Sequence, residues 1–401
     1  MRIVLALVVA VLSSSASAQD TAGPRWIAGW TYPPVSNVGP TSPPSPPNPK
    51  DTRGPLGPPT VTNQTLSQTV TLSASGSRLR LRLSNLYGSV PIHIGAVSVA
   101  VGEAAPVAVS FDGASELVIP AGTPRLSDPV ALAVRALDDV TISVFYPDTT
   151  ALPSHRLRQV LRDGDATTYP IISDTERHRM GALATSILVE TDHPTGVIVA
   201  FGDSITEGTG SLPSGPGGWP ERLAERMVSA ALPWSVVNAG IGGNRLLHQG
   251  SGPSGLERLD ADALAVPGAR CLILLEGIND IGRPTRSEYA HEAITAADLI
   301  GGYGQVIARA HDAGIRTVIA TIPPFEGANY FTDAGEAIRQ AVNTWIRTSG
   351  APDAVVDFDA AVRDPINPRR LLAANDSGDR LHPSDAGYAA MSAAIPLDVC
   401  D

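Results

Sequence analysis

The chain has 401 residues, a formal net charge of −11 and 43% hydrophobic content, enough for real cores in roughly two to three domains. That charge, with a pI near 5.2, argues against nucleic acid, whose polyanionic backbone needs a basic footprint, and makes a neutral substrate the better expectation. Two cysteines, Cys271 and Cys400, allow at most one internal bridge, too few for a disulfide scaffold.

Residues 1–18 read as a secretory leader. Arg2 precedes an apolar run from Ile3 to Leu12, a serine-rich stretch follows, and Ala16-Ser17-Ala18 supplies an Ala-x-Ala cleavage site. No other stretch is long and apolar enough to span a bilayer, so the expectation is an exported protein, secreted or periplasmic, with no membrane insertion. Trp26, Trp30 and Tyr32 then suggest an anchored strand. From Pro33 to Pro59 there are 11 prolines in 27 residues, which excludes helix and central strand and leaves a long loop or a flexible linker. Residues 19–62 are taken together as this strand and loop.

From Asn63 to about Tyr146 the hydrophobic period is two. Thr69–Leu72 and Arg78–Leu83 alternate polar with apolar around Ser75-Gly76-Ser77, which predicts an antiparallel hairpin. Ile92–Val101, Glu116–Ile119, Val130–Val134 and Val140–Tyr146 extend the pattern, and 147–195 reads as a loop-rich connector. Short strands with no helix between them predict a jelly-roll-like β-sandwich over 63–195. Its arginines Arg78, Arg80 and Arg82 suit either an anionic ligand or a solvated strand face.

After Gly196 the pattern changes to strand, loop, helix. Strands are predicted at 197–201, 235–238, 271–276, 317–321 and 354–358, and helices at 219–231, 297–312, 333–348 and 384–394. Alternation of this kind builds a parallel sheet covered by helices on both faces. Cys271, inside the third of these strands, reads as a small hydrophobe; whether Cys400 reaches it is left open.

The strand Val197–Phe201 ends abruptly on Gly202-Asp203-Ser204, which places a serine at a strand's carboxyl end, where open parallel sheets bind ligands. Asp203 and Ser204 would also serve as a helix cap, so the serine needs partners. Gly240-Ile241-Gly242-Gly243-Asn244 follows a second strand, Gly277-Ile278-Asn279-Asp280 follows a third, and Asp379-Arg380-Leu381-His382 lies near the C-terminus. A serine hydroxyl needs a base, which His382 can be, and Asp379 can hold its imidazole. The backbone N–H groups of Ser204 and Gly243 and the amide of Asn279 are candidate donors to an oxyanion.

These four blocks, in this order, resemble the SGNH or GDSL-type serine hydrolases, with Ile205 where the GDSL name expects leucine. The resemblance implies a flavodoxin-like parallel-sheet hydrolase domain over 196–401, a Ser204–His382–Asp379 triad and no cofactor. The whole chain, including Asn63-Gln64-Thr65-Leu66-Ser67-Gln68 and Leu83-Ser84-Asn85-Leu86-Tyr87-Gly88, resembles a secreted, two-domain, xylan-esterase-like branch, which implies removal of acetyl groups from polysaccharide; acetylated polysaccharide or a small ester is the expected substrate. A lipase or thioesterase acting on acyl chains, or a carbohydrate-binding protein without chemistry, are the alternatives. Asp203, His248, Phe325 and Tyr330 are further candidates to line the substrate cleft. No metal is expected, because His291-Glu292 lacks a second histidine at the metalloprotease spacing.

Overall fold

The computed structural model describes residues 23–35, 60–152, 156–170, 178–193, 196–212 and 217–401. The expected leader and most of the proline-rich stretch, residues 36–59, lie outside the described residues. Ten strands form the two larger sheets of the N-terminal half: β1 (Arg25–Thr31), β2 (Gln64–Thr71), β3 (Arg78–Ser84), β4 (Ala96–Val101), β5 (Val107–Ala108), β6 (Pro124–Leu126), β7 (Asp139–Tyr146), β8 (Arg156–Asp163), β9 (His178–Gly181) and β10 (Ala184–Thr191). One sheet has the order β1-β10-β3-β6 and the other β9-β8-β2-β7-β4-β5, with every pairing antiparallel.

Strand β3 shows why the period-two sequence folds this way. Leu79, Leu81 and Leu83 are fully buried between the sheets while the arginines alternate outward. Each leucine contributes about 2 kcal/mol of apolar burial, and Leu81→Ala would leave a cavity costing about 3 kcal/mol. The arginines have internal partners: Arg78 grips Glu190 with two hydrogen bonds of 2.5 and 2.6 Å, and Arg80 lies 5.0 Å from the Trp26 ring.

Three expectations are corrected here. The predicted hairpin does not form, because β2 and β3 belong to opposite sheets; the chain crosses between them through buried Leu72, Ser73 and Ala74, with the Ser73 N–H donating to the Gly29 carbonyl. Val130–Val134 makes only isolated bridges, to Leu79 and Gly76. The connector 147–195 contains β8, β9 and β10; all eight residues of β10 are buried, so no alternation marked it as a strand. Strand β1, expected as an anchored strand, pairs with β10 as an integral strand of the sandwich.

In the second half, β11 (Gly196–Gly202), β12 (Trp234–Gly240), β13 (Ala269–Leu275), β14 (Arg316–Ala320) and β15 (Ala354–Val356) form one parallel sheet of order β12-β11-β13-β14-β15. Counted within this half the order is 2-1-3-4-5, the flavodoxin-like arrangement whose strand order reverses between β11 and β13. The helices are α1 (Ser204–Glu207), α2 (Trp219–Ser229), α3 (Gly255–Leu259), α4 (Ile278–Gly282), α5 (Ala296–Asp312), α6 (Asp333–Thr348), α7 (Phe358–Val362) and α8 (Asp385–Ala393). Helix α5 starts at a reciprocal capping box between Thr295 and Asp298 and buries Leu299, Tyr303, Val306 and Ala310 at helical spacing. Among the described residues no helix is long and apolar enough to cross a membrane.

Strand β12 is the edge of the parallel sheet, and β1 lies along it. The Ala28 N–H donates to the Pro267 carbonyl at 2.9 Å, the Ser235 hydroxyl donates to the Ala28 carbonyl at 2.8 Å, and the Thr31 hydroxyl donates to the Asn238 carbonyl at 2.8 Å. The seam covers an edge that would otherwise be open to pairing with another chain. At the opposite end of the sequence, Cys271 in β13 is bridged to Cys400, so its role is covalent and not that of a small hydrophobe.

Candidate active site

Ser204 opens α1 at the end of β11, and Asn279 is the second residue of α4 beyond the end of β13, so both stand where the strand order reverses. The buried run Val197–Phe201 fixes β11 in the sheet, and Gly202 ends it. Asp203 is the N-cap of α1, its carboxylate accepting from the Ile205 N–H at 2.9 Å. It is 1% exposed, so it caps the nucleophile's helix and does not line a cleft.

The Ser204 hydroxyl donates to His382 Nε2 at 2.8 Å, and His382 Nδ1 lies 2.6 Å from Asp379 Oδ2, which places the ring proton on Nδ1. The other Asp379 oxygen accepts from the His382 and Leu381 N–H groups at 2.8 and 3.0 Å. Partial burial works against its charge. The hydrogen bond and charge of His382 and these two N–H groups outweigh it and hold the carboxyl well below its usual range. The turn is shaped by Asp376, which accepts from the Gly378 and Arg380 N–H groups at 2.8 and 3.0 Å, and by Arg380 at a φ of 68°. Gly210 lets the nucleophile loop come this close, since a Cβ there would stand 2.6 Å from the Pro383 carbonyl oxygen and 3.2 Å from His382 Cβ.

The Ser204 and Gly243 N–H groups donate to no group among the described residues, which leaves both free for an oxyanion. Gly243 has a φ of 75°, which glycine adopts without strain. Asn279 uses one amide hydrogen on the Asn244 carbonyl at 3.0 Å, and its second is free. Asp280 accepts from the Leu246 and Leu247 N–H groups at 2.7 and 2.9 Å, so the third block holds the glycine block in place.

Beneath these groups lies a buried charge network that the sequence reading did not identify. Arg258 donates to the Gly202 and Ala239 carbonyls at 2.8 and 2.7 Å and to Asn244 Oδ1 at 2.8 Å, tying the ends of β11 and β12 to the glycine block. Glu276 lies 3.8 Å from it, with both carboxylate oxygens lacking a hydrogen-bond partner among the described residues. Burial, followed by repulsion from Asp203, raises the Glu276 pKa; burial likewise pushes Asp203 up to about 7 and Asp280 up to about 6. No motif spacing marks Arg258. The one sequence signal was Glu276, a carboxylate ending a fully apolar strand.

The other cleft candidates fall into two groups. Phe325 and Tyr330 are buried and packed on each other with ring centroids 6.1 Å apart; the Tyr330 hydroxyl stands 3.5 Å from Asn279 Oδ1, so this loop backs the site from inside and gives it no open aromatic wall. His248 is half-buried, and burial and then the charge of Arg245 lower its pKa. Among the described residues no group of three or more His, Cys, Asp or Glu gathers as a metal site.

Residues 200–390 match the GDSL-like Lipase/Acylhydrolase family. Over this segment the chain is similar to the GDSL-type acylhydrolases. The protein is a carboxylic ester hydrolase, with the parallel α/β domain of that family preceded by an antiparallel all-β region. Among solved structures, the acetylxylan esterase Axe2 of Geobacillus stearothermophilus is 20% identical with a TM-score of 0.41, covering 52% of this chain and 95% of its own. The M. smegmatis aryl esterase is 16% identical with a TM-score of 0.39, covering 50% and 96%. A GDSL-like lipase from Bacteroides thetaiotaomicron is 17% identical with a TM-score of 0.36, covering 51% and 87%. Among curated proteins no match was found.

Proposed function

We propose that this chain is an exported carbohydrate esterase that removes acetyl groups from polysaccharide through an acyl-enzyme on Ser204. The observation that carries the chemistry is the unbroken line Ser204 Oγ, His382, Asp379, at 2.8 and 2.6 Å. As Ser204 Oγ attacks the ester carbonyl, its proton passes to His382 Nε2, and the ionised Asp379 stabilises the resulting imidazolium and keeps the ring in register. Negative charge grows on the carbonyl oxygen, toward the free N–H groups of Ser204 and Gly243 and the unused amide hydrogen of Asn279. His382 then protonates the departing sugar hydroxyl, and a water activated by the same imidazole releases acetate.

Support for a short acyl group comes from burial. A lipase holds its chain by apolar area, at about 0.8 kcal/mol per CH₂, and Phe325 and Tyr330 spend theirs inside the domain. Support for export comes from the leader-like residues 1–18 and from the Cys271–Cys400 bridge, which suits an oxidising compartment.

The test is a chromogenic ester series from acetate to palmitate, run beside acetylated xylan. Acetyl esters are expected to turn over faster than octanoyl esters, with acetate released from the polymer. Octanoyl preference with no acetate from any acetylated glycan would favour the lipase reading.

A further inference from the structure

A guanidinium taken out of water is costly unless a carboxylate goes with it. Four arginines are buried among the described residues. Arg245 pairs with Glu292, Arg258 with Asp262 and Glu276, and Arg339 with Glu336 and Asp359. Arg283, 8% exposed, pairs with no carboxylate among the described residues. Its contacts are the Ser251 hydroxyl at 3.3 Å and the face of the Tyr289 ring at 5.2 Å.

Its position makes that exception informative. Arg283 directly follows α4, four residues after Asn279, and its guanidinium reaches back over the glycine block. One terminal nitrogen lies 3.4 Å from where a Cβ on Gly243 would stand, and the other 2.9 Å from the same point on Gly250. An uncompensated positive fork therefore stands beside one of the oxyanion donors. The neighbours do not neutralise it: Arg245 and Arg286 repel it, and the nearby Glu292 is already engaged by Arg245. Burial, then Arg245, draws the Arg283 pKa down, as expected for a cation awaiting its counter-charge. In a chain of net charge −11 this local surplus is the opposite of the average.

We propose that Arg283 forms a carboxylate-binding subsite beside the ester-cleavage site, taking the carboxylate of a uronate residue on an acetylated glycan. The planar fork of a guanidinium matches a carboxylate through two parallel N–H···O bonds, and the buried setting strengthens that pairing. Identifying the bearer as a sugar acid rests on the acetyl-glycan reading above; the charge preference does not.

The experiment separates the two. Hydrolysis of 4-nitrophenyl acetate, a neutral ester, is inhibited with glucuronate and with its uncharged amide, glucuronamide, using wild type, R283Q and R283K. Glucuronate is expected to compete with an inhibition constant roughly tenfold below that of glucuronamide in wild type, as one charge-assisted pair would give. R283Q should bring the two constants together, and R283K should keep part of the gap. Equal inhibition by both compounds in wild type, or no inhibition, overturns the subsite whatever the variants do, and so does a gap that persists in R283Q. If R283Q does not fold, as judged by circular dichroism, wild type and R283K decide. Absence of acetate release from acetylated xylan in the separate polymer assay would remove the polysaccharide reading while leaving this result standing.

Discussion

The two halves of the molecule bury different kinds of polar group. The sandwich takes in hydroxyls and amides such as Ser67, Ser143, Gln159 and Thr65, each with a local partner; Ser67 and Ser143, for example, share a hydrogen bond of 2.7 Å across β2 and β7. Glu190 is its one buried charge among the described residues, and Arg78 holds it. The hydrolase half buries Asp203, Glu276, Asp280, Arg245, Arg258, Arg283, Arg339, Glu336 and Asp359. Charges are costly to bury and hydroxyls with partners are not, so a fold that only needs to stand avoids the former. In the hydrolase half Asp203, Asp280 and Arg258 use their charge to hold the backbone of the first three blocks.

That contrast can be tested by graded substitution. The largest effect is expected from Ser204→Ala, which should lower kcat by roughly 10⁴-fold or more with the circular dichroism spectrum unchanged. Residual activity of a few per cent on a short ester would mean another nucleophile. Next is Arg258→Ala, which leaves Glu276 and three backbone and side-chain acceptors without their donor and should cost about 3–5 kcal/mol by urea melt. A loss below about 1 kcal/mol would show that the buried network is not what holds the blocks together. Asn279→Ala should lower kcat by roughly a hundredfold, about 3 kcal/mol in the transition state, with little change in KM. A change in KM alone would make Asn279 a substrate-positioning group.

The pH dependence separates the halves more finely. Asp280 has a folded pKa raised to about 6, so the native state holds a proton that the unfolded chain releases near pH 4. Its stabilising contribution is complete below that lower value and is lost as pH rises through the upper one, and Asp203, pushed up to about 7, acts in the same direction. The melting temperature of wild type should therefore fall between pH 4.5 and 7.5, and less steeply in Asp280→Asn. A rise over that window would contradict the assignment. The smallest effect belongs to the sandwich: Ser143→Ala should cost about 1 kcal/mol, independent of pH.

Much of this was legible before any coordinates. The strands of the parallel sheet and its long helices were marked by runs and periods that depend only on neighbours in sequence, and the prediction for α6, 333–348, coincides with the observed element. The serine announced itself at a strand's end, and the histidine and aspartate by their three-residue spacing near the C-terminus, because a serine nucleophile needs a base and the base an orienting acid. What was not legible depended on contacts remote in sequence. Strand β10 pairs with β1, over 150 residues away, and is covered on both faces, so its composition carries no alternation. Arg258 matters through carbonyls of Gly202 and Ala239, and a backbone carbonyl has no sequence signature. The net charge misled about local fields, since a sum over 401 residues cannot reveal that Arg245, Arg283 and Arg286 gather beside one carboxylate.

The bridge from β13 to Cys400 bears on the order in which the protein can be completed. A chain made from its amino end presents β13, including Cys271, while 129 residues still separate it from its partner. The bridge spans β14 and β15 in sequence, so it can close only once both have been made. Its reach over so long a loop still removes much of the freedom of the unfolded chain, about 5 kcal/mol on the chain-entropy account. The cell compartment that receives the finished protein thus sets how firmly the active-site strands stay together.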